Sequence, residues 1–332
     1  MIATIYIERD VVEHPRAQEI CAQFPEATQI TCERYTEVFN PKAQNFRLQK
    51  QRPGLVLARK FDNFVLQTPS GYGIGGDYNY YFSHMLNCIY DCRYCFLQGM
   101  YRSAHYVLFV NYEDFQDAIA ATIIRHKRSD LWFFSGYDCD SLALEPITRF
   151  VESFLPLFAR HPNTGLELRT KSTQVRALLN IKPIANCIVA FSFTPDEIRA
   201  ALEHKVPAVD KRVEAMVRLQ EHGWRLGLRF DPLIYNENYQ AQYRQLFAEV
   251  FARLDANKLH SVSLGAFRLP RPYYRNLVRL YPEEPLFAGS FTETDGVVSY
   301  RPRIQEEMMS FCTNELQRYI PKEICFPHAV AY

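Results

Sequence analysis

The chain has 332 residues, with 38 Lys and Arg against 37 Asp and Glu, for a net charge of +1. That balance excludes a global field drawing it to nucleic acid or to a membrane surface, so polyanion binding would need a local patch. A hydrophobic share of 48% and a charged share of 23% describe a globular protein that buries its core without disulfides.

Residues 4–8 read as a strand and 14–24 as a short helix. The apolar start is too short for a signal sequence, and Arg9 and Asp10 follow it at once. No run of about 18 apolar residues occurs, so we expect a cytoplasmic protein with no membrane span. Residues 40–54 form a polar, basic loop carrying Lys42, Arg47, Lys50 and Arg52, and 55–60 a strand. Residues 70–81, with four glycines and several tyrosines, read as an irregular approach to the cysteines that follow. From there the pattern becomes regular. Strands at 106–110, 131–135, 166–170, 187–194, 225–230 and 261–267 alternate with helices at 112–126, 143–159, 173–180, 195–202, 211–222 and 239–254. The 211–222 helix stops at Gly223. A basic helix at 272–280 and an amphipathic one at 304–319 complete the chain. Alternating strands and helices predict parallel βαβ units, about six between residues 106 and 280. A partial barrel fits this better than a sandwich, and a doubly wound open sheet is the alternative. In either, chemistry collects beyond the carboxyl ends of the strands.

Nine cysteines in a reducing compartment are not a disulfide framework. Three are crowded as Cys88-Ile89-Tyr90-Asp91-Cys92-Arg93-Tyr94-Cys95, a CxxxCxxC spacing. Thiolates so close on one loop suit an iron–sulfur cluster or zinc. A [4Fe–4S] cubane held by three cysteines keeps one iron without a protein ligand. S-adenosylmethionine can chelate that iron, and an electron from the cluster then breaks a carbon–sulfur bond and releases a 5′-deoxyadenosyl radical. The aromatic Tyr94 before the third cysteine matches the radical S-adenosylmethionine pattern, where it packs against the adenine. The competing reading is a structural zinc site, which would need a fourth ligand such as His84 or Cys139.

Beyond the loop, the sequence resembles the spore photoproduct lyase family. The resemblance begins at Ile5-Tyr6-Ile7-Glu8-Arg9. It runs through the cysteine loop, Val110-Asn111-Tyr112-Glu113, Thr170-Lys171, Phe191-Ser192, the helix from Lys211 and the stretch from Gly227 through Asp231 to Ile234, and ends at 296–300 and the last helix. It implies an α/β fold. A partial (β/α)6 barrel of TIM type would span 81–280, with an N-terminal α/β extension over 1–80. A C-terminal hairpin and helix would span 281–332. It implies a radical lyase that restores thymines from the photoproduct of ultraviolet-damaged DNA, fed by a flavodoxin or ferredoxin type reductant protein. By the same resemblance Lys171, Ser192 and Asp140 would surround the S-adenosylmethionine. Arg268 and Tyr300 would touch the substrate, and the 296–300 hairpin would reach the lesion. Read alone, Asp140 is a helix cap and Lys171 a lysine at a strand end.

Two positions depart from the family. Its hydrogen-donating cysteine falls at Tyr137, and Cys139 stands two residues on, roughly 6–7 Å along an extended segment. Its tyrosine after the third cluster cysteine is Phe96, which has no O–H to give, whereas Tyr94 keeps the other relay tyrosine. Tyr137 and Cys139 are therefore rival hydrogen donors. The alternatives are a radical enzyme with a different, non-DNA substrate, or a non-catalytic metal-binding nucleic-acid-binding protein. Arg268, Arg271, Tyr273, Tyr274, Arg275 and Arg279 form a candidate phosphate and base-stacking surface, balanced by Glu283 and Glu284. Arg301 and Arg303 follow the hairpin. The glycine-rich 70–76 stretch lacks the frame of a phosphate loop and reads as a cover on the cluster. His84 and His105 flank the cysteines and read as structural.

Overall fold

The computed structural model describes residues 2–69, 71–126 and 129–327. Its centre is a curled parallel sheet of seven strands: β1 (Tyr78–Phe82), β2 (Leu131–Ser135), β3 (Thr164–Thr170), β4 (Cys187–Ser192), β5 (Arg225–Leu233), β6 (Leu259–Ala266) and β7 (Cys325–Pro327). Each pairs in parallel with the next. Leu66–Gln67 adds an antiparallel strand beyond β1. Every residue of β2 and of β4 is buried, as expected of a parallel sheet covered on both faces. The covering helices include Phe150–Ala159, Val209–His222 and Tyr239–Phe251.

Strand order follows chain order without reversal. A doubly wound sheet would reverse direction at a switch point, so the molecule is the partial barrel and not its alternative. Among the described residues no helix is long and apolar enough to cross a membrane.

The strand at 106–110 is real but belongs elsewhere. Tyr106–Phe109 pairs with Leu55–Ala58 and Met85–Leu86 in a second sheet, ordered Thr28–Cys32, Thr4–Glu8, Leu55–Ala58, Tyr106–Phe109, Met85–Leu86. The barrel begins instead with β1, inside the stretch read as irregular, whose Ser70 lies outside the described residues. Hydrophobic pattern identifies a buried strand such as Tyr106–Phe109 but not its partner, and Tyr78–Phe82, with only Phe82 buried, carries too little of that pattern to show. The second sheet thus takes strands from both sides of residue 80, so a boundary there does not separate the two sheets.

A third sheet joins Arg268–Pro270, Val297–Tyr300 and Phe291–Thr294, the last two forming the expected late hairpin. Its turn, Asp295-Gly296, is exposed, and Glu293 beside it pairs with Arg271 at 3.0 Å. Inside the barrel, fully buried Arg229 meets Glu167 through two bonds, Nε–Oε1 at 3.2 Å and Nη2–Oε2 at 2.7 Å, and also bonds Ser261. Burial alone would raise the Glu167 carboxyl, but Arg229 and Arg169 hold it down at about 2.

Candidate active site

One cavity opens at the carboxyl ends of the barrel strands. Its lining brings together Cys88, Cys92, Cys95, Tyr94, Phe96, Tyr137, Cys139, Asp140, Lys171, Ser192 and Arg268. Every candidate site residue of the sequence reading except Tyr300 is among them. Tyr300, buried at the end of its strand in the third sheet, accepts the Tyr235 N–H through its hydroxyl at 2.9 Å and lines a second cavity. It does not line the cavity that holds the cysteines.

The cysteine loop is fixed at several points. Asn87 adopts a left-handed backbone (φ 69°), and its amide donates to the carbonyls of Ser103 and His105 at 2.7 and 2.8 Å. Asp91–Cys92 pairs antiparallel with Glu203–His204, and Arg93 N–H donates to the Leu202 carbonyl at 2.8 Å. Gln98 Nε2 donates to the Cys92 carbonyl, and Tyr281 holds Gln98 in turn at 2.6 Å. The following helix, Phe96–Met100, lies against helix Arg271–Leu280 at a glycine: a Cβ on Gly99 would meet the Tyr273 carbonyl oxygen at 2.3 Å. The basic 272–280 helix expected on the sequence therefore buttresses the cysteine loop, with Arg275 and Arg279 exposed.

All three loop thiols are reduced and buried enough that desolvation raises their pKa, that of Cys88 to about 12. Binding of a metal centre must displace those protons. Among the described residues no three His, Cys, Asp or Glu side chains converge tightly enough to hold a single ion. In a cubane each cysteine binds a different iron, and three thiols around one cavity are a donor set that fits such a cluster. His84, proposed as a fourth ligand, is buried flat on Phe150 at 4.1 Å, away from the cavity, and His105 accepts the Gly54 N–H at 2.8 Å.

Behind this wall lies a buried charge network. Lys171 Nζ donates to Glu203 Oε1 at 2.8 Å and contacts the Tyr94 hydroxyl at 3.0 Å. The Tyr94 hydroxyl and Thr194 Oγ1 both donate to that same Glu203 oxygen. Arg212, fully buried, stands 3.6 Å from Glu203 Oε2 and donates to the Ser192 carbonyl. Burial would raise the Glu203 carboxyl, but Lys171 and Arg212 outweigh it and lower its pKa, so it stays ionised. Asp140 accepts from Leu142 N, Ala143 N, Thr170 Oγ1 and Lys171 N, at 2.6–3.0 Å. It therefore closes a turn and places the backbone of Lys171, but it is not the helix cap that its local pattern predicted: the helix begins only at Glu145, with Leu144 at its N-cap, and ends at Thr148 before a second helix from Phe150.

The opposite wall is aromatic. β2 ends at Gly136 (φ 81°), where a Cβ would meet Ser141 Oγ at 2.5 Å. This turn delivers Tyr137 and Cys139 to the cavity. The Tyr137 ring stacks on Tyr81 at 4.3 Å and contacts Tyr72 and Phe96, each at 5.6 Å between centroids. The two positions that depart from the family pattern, 96 and 137, thus touch each other. Cys139 is buried and its thiol is held well up by desolvation. Arg169, paired with Glu167 at 2.9 Å, lies over the Tyr72 ring at 4.9 Å. Arg268 makes a two-pronged pair with Asp231 at 2.9 and 3.1 Å.

The sequence reading missed Glu203, Arg212, Arg169, Tyr72 and Asp231 as site residues. None sits in a recognisable spacing. Asp231, Tyr72 and Arg212 lay within stretches singled out in the sequence, but nothing local marked their partners.

The family model for spore photoproduct lyase matches residues 1–288. The chain is 25% identical over 293 residues to spore photoproduct lyase of Bacillus subtilis (strain 168), covering 85% of this chain and 83% of the relative. It is 21% identical to that of Clostridium acetobutylicum, covering 86% and 84%. Among solved structures, a spore photoproduct lyase double mutant with bound AdoMet and dinucleoside spore photoproduct superposes at TM-score 0.84, with 17% identity over 99% of this chain and 98% of that one. Spore photoproduct lyase complexed with dinucleoside spore photoproduct gives 0.83 at 16% identity, with the same coverage.

Proposed function

The chain belongs to the spore photoproduct lyase family, and from that premise we propose that it is a radical S-adenosylmethionine lyase that repairs a thymine photoproduct of DNA. One observation carries the reading: a single cavity at the strand ends joins Cys88, Cys92 and Cys95 to Lys171, Asp140 and Ser192. The three cysteines would hold a [4Fe–4S] cluster, and the remaining iron would take S-adenosylmethionine. When bound and reduced, this pair supplies a 5′-deoxyadenosyl radical. The protein binds, orients and shields it.

Each residue then has a physical task. Lys171 offers an ammonium to the carboxylate of the nucleotide, pre-placed by Glu203 and by the Asp140 bond to its backbone. The Tyr94 ring gives the adenine an apolar face, while its hydroxyl is tied to Glu203. The aromatic wall of Tyr72, Phe96 and Tyr137 keeps water from the reacting carbon. Arg268, stiffened by Asp231, faces the photoproduct or its phosphate. Tyr137 is the hydrogen donor in place of the family cysteine. Lining the cavity, its phenol would give a hydrogen atom to the product radical, the O–H bond breaking as the C–H bond of the thymine forms. Cys139 lines the same cavity and is the rival donor. An enzyme acting on chromosomal DNA works in the cytoplasm.

The test is anaerobic incubation of reconstituted protein with dinucleoside spore photoproduct, following thymidine release and 5′-deoxyadenosine. Release that depends on S-adenosylmethionine supports the proposal. The Phe96 and Tyr137 pair favours one other reading, a radical reaction on a different substrate. Cleavage of the cofactor without any repair would select it.

A further inference from the structure

The outer face of the cysteine loop is as distinctive as its inner face. Between Glu37 and Asp62 the chain has no acidic residue but carries Lys42, Arg47, Lys50, Arg52, Arg59 and Lys60. In a protein of net charge +1 that is a strong local surplus. The fold lays part of this segment against the cysteines. Lys50 Nζ sits 3.5 Å from the Cys88 carbonyl and 3.4 Å from the Tyr90 carbonyl. Lys205, exposed beside the Glu203–His204 strand that pairs with Asp91–Cys92, reaches the Lys50 carbonyl at 3.4 Å. Arg47 shares one hollow with Arg93, which lies between two of the three cysteines, and the adjoining hollow with Arg279. Leu48 stands among these cations with 61% of its surface exposed. The first hollow also holds Glu197, Glu283 and Glu284, so the surplus lies on the side of Arg47, Lys50, Arg52 and Lys205.

None of Arg47, Lys50, Arg52, Arg93, Lys205 or Arg279 lines the main cavity. The inner face of the loop is where nucleotide and substrate would sit. An electron for the cluster must therefore enter through the outer face. We propose that this cationic face, centred on Arg47, Leu48, Lys50, Arg52 and Lys205, docks an acidic one-electron carrier protein of flavodoxin or ferredoxin type. The proposal rests on the radical-enzyme reading. The step is a single electron transfer: the carrier is oxidised by one electron and the cluster reduced by one, with no bond made. Positive charge flanking an exposed leucine suits such a transient partner, since complementary charge speeds encounter while a small apolar contact sets the register. Duplex DNA would answer to the same charge, but these residues lie outside the cavity that must reach the lesion.

The experiment pairs the Arg47→Glu/Lys205→Glu variant with wild type and with the milder Arg47→Gln/Arg52→Gln variant. Binding of an oxidised acidic flavodoxin to protein without cluster is measured by calorimetry at several salt concentrations. Formation of 5′-deoxyadenosine by reconstituted protein is then driven either by that flavodoxin, reduced, or by dithionite. We expect charge reversal to weaken flavodoxin binding and flavodoxin-driven kcat/KM by at least tenfold. The neutral variant should fall between, and dithionite-driven rates should stay within twofold. Wild-type affinity should decline as salt rises. Unchanged flavodoxin affinity in a folded charge-reversal variant overturns the docking proposal, as does a loss confined to binding of undamaged duplex DNA. Failure of wild type to cleave the cofactor with dithionite sinks the radical reading instead, while the calorimetry still decides whether the face binds the carrier.

Discussion

The two walls of the cavity are built from different forces. The cysteine wall is held by directional bonds: Glu203 gathers Tyr94, Lys171 and Thr194, and its strand clips Cys92. The aromatic wall is held by ring contacts around Tyr137, with centroids 4.3–5.6 Å apart. Ring packing tolerates exchange of side chains of similar shape, whereas a buried ionic network does not. The first wall keeps the family pattern, and both departures from it, Phe96 and Tyr137, fall on the second. A site divided this way can hold its radical source fixed while the hydrogen path is altered next to it.

The largest expected effect breaks the first wall outright. Cys92→Ala should take iron in the reconstituted protein, and with it 5′-deoxyadenosine formation, to background. Retained iron at wild-type stoichiometry would remove the cluster assignment. Next, Glu203→Gln leaves Lys171 and Arg212 without their buried counter-charge, which should cost about 3–5 kcal/mol. Thermal unfolding reads this, and a melting temperature within a degree of wild type would show that the network does not fix the loop.

A third measurement asks whether the aromatic wall also rests on charge, since Glu167 holds Arg169 beneath Tyr72. The folded Glu167 carboxyl is depressed from 4.5 to about 2. Its stabilisation is therefore complete above pH 4.5 and is lost as pH falls towards 2. A depression of that size corresponds to about 3 kcal/mol. Glu167→Gln should lower stability at neutral pH and flatten the acid limb of the stability curve; an unaltered limb would contradict the pairing. The smallest structural effect separates packing from chemistry. Tyr137→Phe keeps the ring and should shift stability by less than about 0.5 kcal/mol. Repair turnover should nevertheless collapse, and Cys139→Ser should leave it largely intact. The reverse pattern would transfer the donor role to Cys139.

Several elements were legible in the sequence because their signals are local. The helices at 211–222 and 304–319 appear as Val209–His222 and Pro302–Leu316, since an amphipathic face of period 3.6 needs no distant information. Tyr106–Phe109 was legible as a strand but not as a strand of the second sheet, and β1 was hidden behind glycines. Lys171 and Asp140 were placed by resemblance, yet their ties to Glu203 and to each other were not.

By itself the sequence determined that three thiols are presented together, because Cys88, Cys92 and Cys95 sit on one short stretch of chain. Only the tertiary structure decided what that loop leans on: Tyr94 and Glu203 are 109 residues apart in the chain and bonded in the fold. Local spacing is written in contiguous residues. Long-range partners are selected by packing of the whole barrel, through many weak terms that no single stretch of chain carries.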